Sequence, residues 1–303
     1  MKDFKGGTAV ITGAGSGFGL EVSRIAANLG MNVVMADVQQ GALDSAVAEI
    51  TALGAQVLPV RCDVSKAAEV EAMGVATFER FGAPNFVFNN AGVGGGGLVW
   101  ESSVKDWEWV LGVNLMGVAH GLRVFTPMML DAAKKDPAWR GHITNTASMA
   151  GLLAAPNMGV YTVSKHAVVA MSETLYQDLS LVTDQIKASV LCPYFVPTGI
   201  ADSARNRPAD LSDNTGLTKS QLIGRAQSQK AVTSGKVTAV TVAESVFDAI
   251  REERFYIYSH PKALAGVQVR MEDILQNRNP SDPFSARPEV GVELRKQLRE
   301  AYY

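Results

Sequence analysis

Cysteine is scarce in this chain of 303 residues: Cys62 and Cys192 are the only two. Each sits in its own apolar, strand-like run. That excludes a disulfide framework and a cysteine-based metal cluster. Buried single thiols suit a reducing compartment, so a cytoplasmic protein is expected. The four histidines, His120, His142, His166 and His260, show no metal-ligand spacing, so no metal site is expected. Charged residues make up 19% and the net charge is -2. This leaves neither a basic footprint for nucleic acid nor a polybasic patch for a membrane surface. No run of 18 charge-free apolar residues marks a membrane span. The opening MKDFKGG lacks the apolar centre of a secretory signal. There is no internal repeat.

What the chain does have is apolar content, 47% of residues, enough for a sizeable core. The stretch Thr8 to Gly19, TAVITGAGSGFG, organises it. Ala9-Val10-Ile11 reads as a buried strand. Gly13, Gly15, Gly17 and Gly19 follow at alternate positions, with Ser16 and Phe18 between them. Leu20 to Leu29 then has a helical period and stops at Gly30. Strand, glycine turn and helix form a phosphate cradle, because glycines admit an anion to the backbone and a helix start offers free N–H groups. A plain flexible loop fits the glycines as well.

A second strand, Met31 to Ala36, ends in Asp37. An acidic side chain there accepts from ribose hydroxyls and repels a 2′-phosphate. Val38 and Ser16 supply no positive charge, so NAD is favoured over NADP. Asp37 as a cap for the next helix is compatible with both. Helix 42–53, strand 56–62, a helix capped by Ser65 and running to Phe81, and strand 86–88 follow. Such alternation argues for a parallel sheet covered on both faces, an α/β doubly wound architecture. At the strand ends, Asp63 is placed to accept from the adenine amino group, and Asn89 and Gly92 to flank the cofactor. Asp, Asn and Gly also end strands without any ligand.

Four glycines, Gly94 to Gly97, make a loop beside the crevice. A long helical stretch follows from Val104 to Leu130. Asn114 is polar within it, and a local side-chain-to-backbone bond accounts for that. Strand 142–146 leads to Ser148. Tyr161 and Lys165, four apart, share one helix face. A nearby ammonium favours the phenolate, so Lys165 is expected to lower the Tyr161 pKa. Ser, Tyr and Lys at one crevice suit proton exchange with a carbonyl or alcohol oxygen. Strand 186–192 runs into the stiff segment PYFVPT, Pro193 to Thr198. Residues 200–230 are polar and weakly periodic, and read as a mobile lid whose apolar contacts are Leu211, Leu217, Leu222 and Ile223. Helix 240–252, strand 255–258 and helix 264–277 follow. The tail from Asn279 reads as mostly irregular, with a helical turn or two at 294–302. The expected organisation is a catalytic domain over 1–262 and an extension over 263–303.

These residues, in this order, resemble the classical short-chain dehydrogenase/reductase family over roughly residues 4 to 260. The resemblance rests on Thr12 to Gly19, Asp37, Asp63-Val64, Asn89-Asn90-Ala91-Gly92, Asn114, Ser148, Tyr161 with Lys165, and Pro193 to Thr198. It implies a Rossmann-like fold and an NAD-dependent oxidoreductase. Tyr161 is then the acid in reduction and the base in oxidation. Ser148 orients the substrate oxygen, Lys165 binds the nicotinamide ribose, and Asn114 holds a relay water. The implied cofactor contacts are Gly13, Gly15, Ser16, Gly17, Phe18 and Gly19, then Asp37, Val38, Asp63, Val64, Asn90, Ala91 and Gly92. Tyr161, Lys165, Pro193, the Val196 backbone and Thr198 complete them. A homotetramer or homodimer is implied as well.

Tyr194 departs from the family, standing where glycine is usual, and the chain runs beyond a typical member. The long lid and tail are similar to the branch that contains aryl alcohol Cα-dehydrogenases and other bulky secondary alcohol dehydrogenases. The expected substrate is a bulky, aromatic or alicyclic secondary alcohol or ketone. Leu152, Leu153 and Met158 supply an apolar wall, though they suit plain packing too. Hydroxysteroid dehydrogenase and 3-oxoacyl thioester reductase are the alternatives, the latter opposed by Asp37. A dinucleotide sensor without catalysis is the reading from a different class.

Overall fold

The computed structural model describes residues 1–212 and 216–302. The part of the expected lid at 213–215 and the terminal Tyr303 lie outside the described residues. Seven strands form one sheet: β1 (Thr8–Thr12), β2 (Asn32–Asp37), β3 (Val57–Arg61), β4 (Phe86–Asn89), β5 (Gly141–Thr146), β6 (Ile186–Cys192) and β7 (Tyr256–Tyr258). All neighbours pair parallel, in the order β3-β2-β1-β4-β5-β6-β7. The order reverses between β1 and β4. The crevice at the carboxyl ends of those two strands is the natural ligand site of an open α/β sheet.

Strand alternation assigns side chains to two cores. Ala9, Ile11, Val33, Met35, Phe86 and Phe88 face one side, packed by α1 (Gly17–Asn28), α2 (Gln40–Ala52) and α8 (Ala239–Glu252). Val10, Val34, Ala36 and Val87 face the other, packed by α3 (Ala67–Phe81), α5 (Gly117–Lys135) and the far end of α6 (Gly159–Val182). Strands apolar on both faces have no wet side, so the parallel sheet follows from the sequence. His142, in β5, is fully buried, and its Nε2 lies 2.7 Å from Ser189 Oγ. Burial pushes this imidazole down to about 3, so it is a neutral core residue.

Four local expectations change. The long helix splits into α4 (Val104–Leu111) and α5, joined by a π-helical turn, Gly112–Met116, that carries Asn114. Ser65 does not cap α3, whose start is Ala67 with Lys66 at the cap. The Asp63 carboxylate takes both the Ser65 amide (3.0 Å) and its hydroxyl (2.7 Å), which turns the Ser65 side chain to Asp63 and not to the helix start. The lid contains a regular helix, α7 (Lys219–Thr233), started by a capping box between Thr218 and Gln221. Of its expected apolar contacts, Leu217 and Leu222 are exposed, whereas Leu211 packs against the Trp107 and Trp109 cluster. After α9 (Leu264–Leu275), the tail forms α10 (Pro288–Tyr302), a helix rather than an irregular strand of chain. Pro288 opens it, a position where the missing N–H costs nothing.

Candidate active site

The glycine turn is built by close approach. Gly13 and Gly17 have φ of +65° and +54°, a region that favours glycine. A Cβ at Gly19 would lie 2.1 Å from the Gly13 carbonyl oxygen, so α1 starts hard against the turn. Ser16 makes no side-chain cap, and no acidic residue stands in the first turn of α1. The α1 amides therefore have no side-chain acceptor at a helix start that favours anions. Asp37 faces the same turn from the end of β2. Its Oδ2 accepts from the Gly15 amide and its Oδ1 from the Gln39 amide, both at 2.9 Å. These residues fit a dinucleotide: an anion cradle beside a carboxylate already oriented by two backbone donors.

The ends of β1, β4 and β5 are tied through Thr12, which opens the Thr12 to Gly19 motif and has a role of its own. Its Oγ1 accepts from the amides of Asn90 (2.9 Å) and Ala91 (3.0 Å). Asn90 Nδ2 donates to the Thr12 carbonyl, and its Oδ1 accepts from Thr146 Oγ1. Asn90, Ala91 and Gly92 all line the cavity described below. Asn89 does not. It is buried against Asn145, to which its Nδ2 donates at 2.9 Å. Adjacent strand residues point to opposite faces, so only one of the two asparagines reaches the crevice.

Asn114 is fully buried and makes long-range bonds. Its Oδ1 accepts from the Val93 amide at 2.8 Å, and its Nδ2 donates to the Val93 carbonyl and Ser164 Oγ. The local bond expected for it is absent, because the π turn aims the side chain at the β4 loop instead of its own helix.

Ser148, Tyr161 and Lys165 converge on the same cavity. Ser148 Oγ accepts from the Ala150 amide at 3.1 Å, donates to the Pro193 carbonyl at 3.3 Å and lies close enough to the Tyr161 phenol to act on its pKa. Lys165 Nζ donates to the Thr146 carbonyl at 2.9 Å and stands 5.7 Å from the centre of the Tyr161 ring. Both side chains are buried. Burial pushes the Tyr161 phenol up, with the Ser148 hydrogen bond opposing. Burial pushes the Lys165 ammonium down to about 8. The expected lowering of the Tyr161 pKa by Lys165 is therefore not found. The ammonium is turned to a carbonyl and is itself desolvated, and burial is the larger effect.

The remaining expected residues also line this cavity: Ser16, Phe18, Val38, Asp63, Val64, Pro193, Val196 and Thr198. Asp63 is engaged by Ser65, as above, and Val196 is buried. The Pro193 carbonyl accepts from the Met149 amide at 2.8 Å, fixing the Tyr194 segment beside Ser148. The cavity is about 1750 Å³, larger than a single small-molecule pocket of roughly 300–1,000 Å³. Beyond Ser148 it continues along Leu153 and Met158 to α7, α9 and α10. The tail thus lines the site of its own chain. From the sequence the tail could close its own active site or a neighbour's, and α10, which buries Gly291 and Leu294, lines the cavity of its own chain.

The reversal point, the glycine turn and the Ser, Tyr and Lys side chains define the class, a Rossmann-like oxidoreductase. The sequence profile of the short chain dehydrogenase family matches residues 7–209, and the chain belongs to that family. A short-chain dehydrogenase/reductase from Burkholderia phymatum, solved in complex with NAD, is 54% identical, with TM-score 0.91 over 94% of this chain and 100% of that one. A CLA biosynthesis dehydrogenase/reductase of Lactiplantibacillus plantarum is 35% identical over 92% of this chain and 97% of its own length. A C alpha-dehydrogenase of a Sphingobium species is 30% identical over 96% and 93%. Among the described residues, no helix is long and apolar enough to cross a membrane, and no group of His, Cys, Asp or Glu is gathered as metal ligands.

Proposed function

We propose that this oxidoreductase uses NAD(H) to interconvert a bulky secondary alcohol and its ketone, with Tyr161 as the acid and base. The observation that carries the reading is the convergence of Ser148, Tyr161 and Lys165 on a cavity that runs on to α7, α9 and α10. Bound NAD supplies the hydride acceptor, and NADH the donor. Asp37 accepts from the adenosine ribose hydroxyls and repels a 2′-phosphate. The NAD-bound Burkholderia relative supports that choice. Lys165 binds the nicotinamide ribose, and Val196 and Thr198 hold the carboxamide. Ser148 donates to the substrate oxygen and stabilises the charge that develops there. Tyr161 gives its proton to that oxygen in reduction and takes it back in oxidation. Asn114, anchored by Val93, keeps a relay water beside Lys165.

The apolar side chains beyond Ser148 support an aromatic or alicyclic substrate, as does the similarity to a C alpha-dehydrogenase. The reading includes a cytoplasmic homotetramer or homodimer. Val163, Tyr176, Leu181 and Val182 are exposed apolar side chains on α6, which supports burial against a second copy. The test is an NAD- and NADP-coupled oxidation screen of aryl, alicyclic and steroid alcohols. Turnover of aryl or alicyclic members with NAD supports the reading. Tight NADH binding with no turnover across the whole panel makes the chain a dinucleotide sensor instead.

A further inference from the structure

The outer end of the cavity is charged in a way the alcohol chemistry does not use. Helix α9 lies on the catalytic loop at Gly266, where a Cβ would sit 3.3 Å from Leu153 Cδ2. Arg270 follows four residues later, on the same helix face and about 6 Å further along the axis. It lines the same cavity and is half-buried. Among the described residues it has neither a carboxylate nor a carbonyl partner. Glu289 also lines the cavity, while three acids of α9 and α10 already hold partners. Asp273 accepts from the Ser281 amide (2.9 Å) and pairs with Arg278 (3.1 Å). Glu272 accepts from Gln268 at 2.9 Å, and Glu293 from Gln297 at 2.7 Å.

Arg270 therefore brings to the cavity a cation without a counter-ion of its own. The wider surroundings have the same sign. Away from Asp37, Asp63 and Lys165, six Lys or Arg side chains line the cavity against four carboxylates. The whole chain, in contrast, carries a net charge of -2. The lining that Arg270 shares with Ser148 includes the apolar side chains Leu153, Met158, Ile223 and Val269.

We propose that the substrate carries a carboxylate remote from its reacting carbon, and that Arg270 is the counter-ion that selects it. This rests on the alcohol/ketone reading above. The substrate class is then an apolar hydroxy or keto acid, its carbinol carbon at Ser148 and Tyr161 and its carboxylate at α9. The planar guanidinium fork matches a carboxylate with two parallel hydrogen bonds.

The test uses matched ketones: 4-oxo-4-phenylbutanoate, 5-oxo-5-phenylpentanoate and 7-oxo-7-phenylheptanoate, each against its methyl ester. Reduction with NADH gives kcat and KM, and calorimetry on the NADH-saturated protein gives binding without turnover. At the favoured chain length the acid exceeds its ester in kcat/KM by about 10- to 100-fold, the scale of one charge-assisted contact. Arg270→Gln removes that preference through KM and leaves the ester within about twofold, and Arg270→Lys restores part of it. Added salt weakens the acid and spares the ester. Equal use of acid and ester at every length overturns the carboxylate proposal while the alcohol/ketone reading stands. A preference that survives Arg270→Gln overturns the assignment to this residue. If no ketone turns over but NADH-loaded protein binds acids in an Arg270-dependent way, the carboxylate site stands and the oxidoreductase substrate reading fails.

Discussion

The backbone N–H of Gly15 donates to Oδ2 of Asp37 across 2.9 Å, so the glycine turn and the carboxylate at the end of β2 are one unit. A Cβ at Gly15 would lie 2.9 Å from the same oxygen. The turn therefore fixes the carboxylate's orientation before any nucleotide arrives. In the proposed function this pre-organised carboxylate is what discriminates between two cofactors that differ by a phosphate.

Asp37→Ala should separate these effects. Losing the acceptor for the ribose hydroxyls weakens NADH binding by about 10- to 100-fold, the range for hydrogen bonds to a charged group. The NADP/NAD ratio of kcat/KM rises by at least about tenfold once the repulsion is gone. The Gly15 and Gln39 amides also lose their acceptor, for about 1–2 kcal/mol of stability. NADH fluorescence titration, kinetics with both cofactors and a denaturant curve check the three outcomes. An unchanged cofactor ratio removes Asp37 from this role.

The sheet was legible because its strands are apolar on both faces, as in Ala9-Val10-Ile11 and Phe86-Val87-Phe88. Their alternation gave the two cores without further information. The glycine turn, Ser148, Tyr161 and Lys165 were legible because each sits where a strand or helix must present it. What stayed hidden depends on long-range contacts. Asn114 reads as a local hydrogen bonder until the π turn aims it at Val93. Thr12 looks like an ordinary strand end until the Asn90 and Ala91 amides arrive. Helix α10 was read only as a helical turn or two at 294–302 because Pro280, Pro283 and Pro288 make the tail look broken, although Val290, Leu294 and Leu298 carry a helical spacing. The lowered Tyr161 pKa was inferred from spacing alone, and spacing carries no information about desolvation.

Tyr161→Phe removes the group that exchanges a proton with the substrate oxygen and keeps the ring. Turnover should fall by about 10²–10⁴-fold, the usual contribution of a positioned acid or base. NADH affinity should change by less than about threefold. Ser148→Ala should lower kcat by a comparable factor, since an oxyanion donor is lost. Single-turnover rates under saturating NADH measure both. Near-normal turnover in Tyr161→Phe would end the proposed mechanism.

Lys165 provides a pH test with a defined sign. Its pKa falls from 10.5 in the open chain to about 8 in the fold because burial disfavours the ammonium. Between these values the unfolded chain binds more protons than the native one, so stability rises with pH. The penalty is complete below about 8 and gone above 10.5. Lys165→Met removes it, at the loss of the bond to the Thr146 carbonyl. Relative to the parent, the variant should be favoured most at pH 7, and the difference should shrink by roughly 3 kcal/mol by pH 10.5. Urea denaturation at intervals of one pH unit follows this. A difference independent of pH would mean that Lys165 is not desolvated as described. Turnover should be lost at every pH, because the same amine is assigned to the ribose.

Helix α7 reaches the mouth of the cavity through contacts that admit no extra atom. Asn157 Nδ2 donates to the Ser220 carbonyl at 3.1 Å, Ser220 Oγ accepts from the Leu98 amide at 3.0 Å, and Glu101 accepts from Thr218 Oγ1 at 2.7 Å. A Cβ at Gly224 would lie 3.0 Å from Asn157 Nδ2 and 3.3 Å from the Gly97 amide nitrogen. Both neighbours are held by hydrogen bonds, so neither yields cheaply. Gly224→Ala should therefore unseat α7 without touching the glycine turn, even though alanine is the better helix former by about 1 kcal/mol. The expected result is a KM for bulky ketones raised by about tenfold with NADH affinity within about threefold. Amide exchange across 219–233 should accelerate at the same time. If KM and exchange both stay at the parent values, α7 does not close this cavity through Gly224. If NADH affinity falls with KM, the damage has reached the cofactor crevice and the helix is not a separate lid.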